Sequence, residues 1–132
     1  MASTPVEIRM GYGKYRKSLI GSFAPQGTGA PTQPTDETDY VVITRTGVGV
    51  YLFTLVEKHV KLAGIPIFGF QLNTAVPTIG IVTGATAVGS TKTFSVTFMQ
   101  ESAGSFAAAD IAANANNRIG YEIEFSDTGL TP

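Results

Sequence analysis

The chain has 132 residues, of which 43% are hydrophobic and 14% charged, with a formal net charge of −1 at pH 7. That length fits one domain with a buried core, and the composition is the reverse of a disordered chain's. No run reaches the roughly 18 apolar residues of a membrane span, and without cysteine there is no disulfide framework.

An ordinary domain carries about 25% charged residues. This surface must therefore be covered largely by Thr, Ser, Gly, Ala and Asn, which suits a protein that spends its life against other proteins. The near-neutral balance also argues against polyanion binding as its main task. Met1 to Pro5 lacks a basic start and an apolar run, so no signal peptide is expected.

Residues 1–17 read as an N-terminal arm. Within it Arg9, Lys14, Arg16 and Lys17 place four cations beside Tyr12 and Tyr15 in nine residues. Charge with aromatic stacking could grip single-stranded nucleic acid. Because the whole chain is slightly acidic, docking on an acidic protein surface is the stronger reading, and nucleic acid is not the expected partner. Ser18 to Ala24 is the first candidate strand. Residues 24–38 are rich in Pro, Gly, Thr and Gln, have little to bury, and read as a long loop. At its end Asp36, Glu37 and Asp39 form an acidic counterpart to the basic arm, without calcium-loop spacing.

Tyr40 to Thr44 and Val50 to Leu55 are β-branched and aromatic runs around Arg45-Thr46-Gly47-Val48-Gly49, a connection whose glycines can supply a hairpin's positive φ angles. Both runs are almost continuously apolar, so burial on both faces or a face that meets a partner is expected. Val56 to Ala63 reads as a short helix or a connection. Ile67 to Leu72 and Thr78 to Val88 are further strands, the second interrupted by Gly80 and Gly84. Thr93 to Gln100 alternates cleanly, with Phe94, Val96 and Phe98 on one face. Residues 102–117 are Ala- and Asn-rich and read as a loop with a helical turn, Asp110 near its start. Ile119, Tyr121, Ile123 and Phe125 alternate with polar residues in the last strand.

The fold expected is all-β: one domain over residues 1–132, an antiparallel sandwich or small barrel of about seven strands with an extended N-terminal arm and long loops. No catalytic constellation accompanies it. His59, the lone histidine, sits among Glu57, Lys58 and Lys61 with no oriented partner, and reads as a surface residue. One His and no Cys give no zinc site. Gly84 to Lys92 lacks the Gly-Lys-Ser/Thr order and the following helix of a phosphate loop. Glu122 and Glu124 share a strand face about 7 Å apart, but no cleft-lining aromatics accompany them. Neither a cofactor nor an enzymatic activity is expected.

Asp39 to Leu55 (DYVVITRTGVGVYLFTL) and Ala107 to Phe125 (AAADIAANANNRIGYEIEF), with the earlier Gly21-Ser-Phe-Ala-Pro-Gln-Gly, resemble small virion proteins of tailed bacteriophages. The resemblance rests on a hairpin with Gly-x-Gly-x-Tyr and on an Ala-Asn-Asn-Arg segment before the last strand. It covers about half of the chain and supplies no catalytic residue. It implies a head decoration or cement protein on the outer surface of the capsid. The partners implied are the major capsid protein and sister copies in a homo-oligomer, a trimer in preference to a dimer. The alternative is a tail component or a receptor- or carbohydrate-binding module, weakened by the absence of Trp.

Overall fold

The structure is a computed structural model that describes residues 6–9, 16–57, 61–63 and 66–126. Among the described residues, eleven strands form two antiparallel sheets that pack as a sandwich and do not close into a barrel. All seven strands expected from the sequence are present: β2 (Arg16–Gln26), β4 (Val41–Gly47), β5 (Val50–Leu55), β7 (Ile67–Gln71), β8 (Thr78–Thr83), β9 (Thr93–Ser102) and β11 (Arg118–Ser126). Four short ones join them: β1 (Val6–Arg9), β3 (Gly29–Thr32), β6 (Lys61–Leu62) and β10 (Ser105–Ala108).

In the six-stranded sheet β2 and β11 are the centre, paired from Phe23↔Ile119 to Arg16↔Ser126. β1 and β3 pair with β2, and β6 and β7 pair with β11. In the five-stranded sheet β9 is the centre. It pairs with β8, β5 and β10, and β4 forms the edge beyond β5.

Strand alternation decides what lies between the sheets. Phe94, Val96 and Phe98 of β9 are buried, as are Tyr121, Ile123 and Phe125 of β11, on the faces the sequence assigned to the core. Tyr51, Phe53 and Leu55 of β5, Val41 and Ile43 of β4, and Leu19 and Phe23 of β2 complete the layer. Phe98 is its hub: its ring lies 5.4 to 6.2 Å from those of Phe68, Tyr51, Phe70 and Phe23. Gly80, paired with Phe98, leaves the space these rings fill; a Cβ there would come within 2.9 Å of the Phe68 ring.

Several expectations are corrected. Residues 1–17 are not wholly an arm: Val6–Arg9 pairs with Arg16 to Leu19, because an edge backbone gains hydrogen bonds whatever its side chains are. Residues 24–38 are not one long loop. A turn with Gly27 at φ +61° lets Gly29–Thr32 fold back on β2, and a 3₁₀ turn, η1 (Thr35–Asp39), follows. The strand expected over 78–88 ends at Thr83, because Gly84 turns left-handed (φ +68°) into a second 3₁₀ turn, η2 (Ala85–Gly89), which buries Val88. In residues 102–117 no helical turn forms. Ala103 and Gly104 both take positive φ, +52° and +84°, the pattern of a tight two-residue hairpin, and β10 returns along β9. Val56 to Ala63 holds β6, and residues 58–60, His59 among them, lie outside the described residues.

The edge of β4 is closed by a side chain. Gln33 accepts the Ile43 N–H at 2.9 Å and donates to the Val41 carbonyl at 3.0 Å, as a partner strand would. Such capping keeps an edge from pairing with another chain.

Phe98→Ala is expected to destabilise the fold by about 3–5 kcal/mol, read as a lowered urea midpoint with an unchanged slope. A loss below about 1 kcal/mol would mean that Phe98 is not the hub of the core.

Candidate interaction surfaces

The basic segment is built on the β1–β2 pair. Arg9 and Arg16 are directly opposite in its register, so residues 10–15 connect adjacent strands. Tyr12, Lys14 and Tyr15 lie outside the described residues, and only the backbone of Arg9 and Arg16 is described. Lys17 is partly buried and forms an ion pair with Glu57 at 3.5 Å. Since the Glu57 side chain is 62% exposed, solvent screening leaves that pair little weight in stability.

The acidic segment divides. Asp36 and Asp39 are exposed on η1. Glu37 turns inward: its carboxylate accepts the Ser22 N–H at 2.8 Å and the Tyr121 hydroxyl at 3.4 Å. Burial, and then the neighbouring Glu37 charge, holds the Tyr121 phenol above its ordinary pKa. Gly21 makes the contact possible, for a Cβ there would collide with Glu37 Oε1 and the Tyr121 hydroxyl. Glu37 is thus a tether that fixes η1 to the sheet, and Asp36 and Asp39 remain as the outward acidic pair. Among the described residues, no contact joins Lys17 to Asp36, Glu37 or Asp39. Along β2, Arg16 and the Ser22 N–H that Glu37 accepts are six residues apart, about 20 Å at a strand rise near 3.4 Å.

Sequence reasoning missed a bidentate ion pair. Asp110 accepts two hydrogen bonds from Arg45, from Nε at 2.9 Å and Nη2 at 2.7 Å, and a third from the Gly49 N–H at 2.9 Å. Both side chains are largely buried, 19% and 15% exposed. Fork-to-fork pairing of this kind is the strong form of an ion pair. The Arg45 hydrogen bonds, opposed by burial and aided by Gly49, hold the Asp110 carboxyl below its ordinary pKa. Gly49 must be glycine: its φ is +68° and a Cβ would lie 2.6 Å from the Phe98 carbonyl oxygen.

Asp110 is one stitch of several along the segment between β10 and β11. The Ala109 N–H bonds to Phe98, and the Ile111 carbonyl accepts from Gly27. Asn117, 8% exposed, donates to the Ala112 carbonyl at 2.9 Å and accepts the Asn73 N–H at 2.7 Å. The Ala- and Asn-rich stretch is therefore a strap across one end of the sandwich. Beside it lies a cavity of about 190 Å³ with Leu72 and Ile111 on its walls and Asn73, Gln100, Asn114 and Asn117 around them.

The two outward sheet faces differ in chemistry. That of the six-stranded sheet carries Arg118, Glu122 and Glu124 on β11 alone. That of the five-stranded sheet is uncharged over rows that run from Ile81 through Thr97 to Val50, and from Thr83 through Ser95 and Leu52 to Thr44. Among the described residues, no group of three or more His, Cys, Asp or Glu side chains is placed to hold a metal ion. No helix is long and apolar enough to cross a membrane, again among the described residues. Compared with known proteins, the chain matches no family model, no curated protein and no solved structure.

The Asp110 clasp carries a pH signature. A carboxyl whose pKa is depressed by folding stabilises the fold fully above its unfolded value, near 3.9, and loses that contribution as pH falls through the folded value. Asp110→Asn is expected to lower the urea midpoint at neutral pH, and the gap to the wild type should close below about pH 4. An equal gap at every pH would show that the charge is not what holds the strap.

Proposed function

We propose that the protein is a non-enzymatic structural subunit of a virus particle, a cement protein that binds the outside of the major capsid shell as an oligomer. The observation that carries this reading is that two oppositely charged segments of the sequence are both anchored on β2. Arg9 and Arg16, which flank the basic segment, are paired at one end of β2, and the exposed Asp36 and Asp39 are held near the middle of that strand through Glu37. A small domain that bridges a seam between shell subunits needs two separate contacts and stiffness between them, and it needs no chemistry. The stitched strap and the aromatic core support that stiffness. The resemblance of the 39–55 and 107–125 stretches to small phage virion proteins points the same way, and in the fold those stretches are joined by Arg45 and Asp110.

A second reading is favoured by the amide-lined cavity beside the strap, whose neutral hydrogen-bonding groups suit a saccharide. No aromatic ring lines its polar rim, which makes it a poor platform for a sugar face.

The test is co-sedimentation of the full chain with expanded shells assembled from the major capsid protein of the same genome. Lys14→Glu and Asp39→Lys are each expected to weaken attachment at least about tenfold, or about 1.4 kcal/mol. Salt should slow attachment more than it loosens an attached subunit, because complementary charge acts chiefly on encounter. Absence of shell binding would overturn the proposal, and a glycan-array signal in its place would move the assignment to the second reading.

A further inference from the structure

We propose that the free edge of β8 is a peptide-binding site, where an extended, uncharged segment of a partner polypeptide adds a strand to the five-stranded sheet and sets one apolar side chain in the groove beside Pro77. This goes beyond the cement reading, and it stands or falls without a shell.

The ladder fixes which backbone groups the edge offers. The Glu101 N–H bonds to the Pro77 carbonyl at 3.0 Å, so the residues that bond to β9 are alternate ones: Pro77, Ile79, Ile81 and Thr83. Thr78, Gly80 and Val82 therefore point their N–H and C=O groups away from β9. The next strands agree. Phe98, opposite Gly80, gives its N–H to Gly49 and accepts from Ala109, both on the far side of β9. Among the described residues no strand lies beyond β8. A row of unpaired backbone donors and acceptors, two residues apart, is a template for an extended chain.

The other edges are guarded and this one is not. Edge strands are ordinarily protected by charge, proline, brevity or a cover. β1 has Glu7 and Arg9, β3 has Pro31, β6 has Lys61, β10 has only four residues, and β4 is capped by Gln33. β8 lies instead within residues 62–91, which contain no Asp, Glu, Lys, Arg or His and form the longest uncharged run of the chain. Every residue of β8 except Gly80 is β-branched, a composition that favours cross-strand pairing.

The groove selects the occupant. A cavity of about 520 Å³ opens at Thr78, where the edge begins, and Phe70, Leu72, Ala75, Val76 and Pro77 form its walls. A strand laid on β8 can send an aliphatic side chain into it, whereas a charged one would lose its hydration there without gaining a partner. Backbone pairing supplies affinity in this mode, and such a pocket supplies the choice of side chain. A second copy of this chain fits less well. Two β8 strands paired antiparallel through the outward groups overlap most fully about Gly80 or about Ile81. These registers set Thr83 or Ala85 opposite Pro77, and both are too small to fill the groove.

The experiment titrates the full chain with a blocked synthetic peptide of alternating Thr and Val with one central Leu, up to about 1 mM, and follows hydrogen exchange. The Gly80 and Val82 amides are expected to slow at least about tenfold at saturation. The same peptide with every backbone nitrogen methylated keeps its side chains, has no N–H to offer, and should not bind. Asp in place of its Leu should weaken binding at least about tenfold. On the protein, Val82→Pro removes an outward N–H and no bond to β9, and Ala75→Glu sets a charge on the groove wall; each should weaken binding at least about tenfold. Val48→Lys, in the β4–β5 turn at a site 56% exposed, should leave it unchanged. If Val82→Pro loses its far-UV β spectrum, the methylated peptide decides, because it is tested on the wild type. The proposal is overturned if the Gly80 and Val82 amides do not slow, or if the methylated peptide binds as well as the parent. Slowing of those amides with protein concentration alone, without peptide, would mean that a second copy fills the edge and would overturn it too.

Discussion

The fold depends on one contact layer, the aromatic seam between the sheets. Phe23 of β2 lies 5.3 Å from Tyr51, 6.1 Å from Phe53 and 6.2 Å from Phe98, all on the opposite sheet. Tyr121 of β11 meets Phe53 edge-on at 5.5 Å. Rings of this kind add directional contacts to the burial of a large apolar area. With no disulfide available, this seam is what keeps the two sheets in fixed relation. Glycines serve it: Gly80 and Gly21 are absent side chains that make room for Phe68 and for the Tyr121–Glu37 contact.

Around the seam, polar groups lock the ends. Arg45 and Tyr51 are cross-strand partners on the inward face, and Asp110 closes over them from the strap. The Tyr51 hydroxyl is buried with no hydrogen-bond partner among the described residues, a cost offset by the ring's packing against Phe23 and Phe98. η2 supplies Val88 as an apolar plug, and η1 is tied down by Glu37. The 3₁₀ turns and the strap are thus each tied to the sheets.

How much of this was legible follows from the range of each signal. Seven strands were readable because each is long enough to show a period, and the alternation of 94–98 and 119–125 named the correct inward faces. β1, β3, β6 and β10 have two to four residues, too few to display one, and they exist because an edge offers backbone hydrogen bonds. The β9–β10 hairpin was hidden because Ala103 occupies a left-handed position usually filled by Asn, Asp or Gly. The Arg45–Asp110 clasp joins residues 65 apart, and nothing local in an Ala-rich stretch announces it; a lone acid among alanines was its only mark. Of the site, the basic and acidic segments were visible as charge clusters, whereas the inward turn of Glu37 depends on Gly21 and Tyr121 meeting in register.

On the proposed reading, the charged segments near β2 are what meets the shell. The most direct measurement is a cryo-electron-microscopy map of the intact particle. The account predicts density for this sandwich on the outer surface of the capsid, with the Arg9–Lys17 segment and η1 against different shell subunits. A map that places the chain in the tail, or that shows an outer surface without it, would contradict the account.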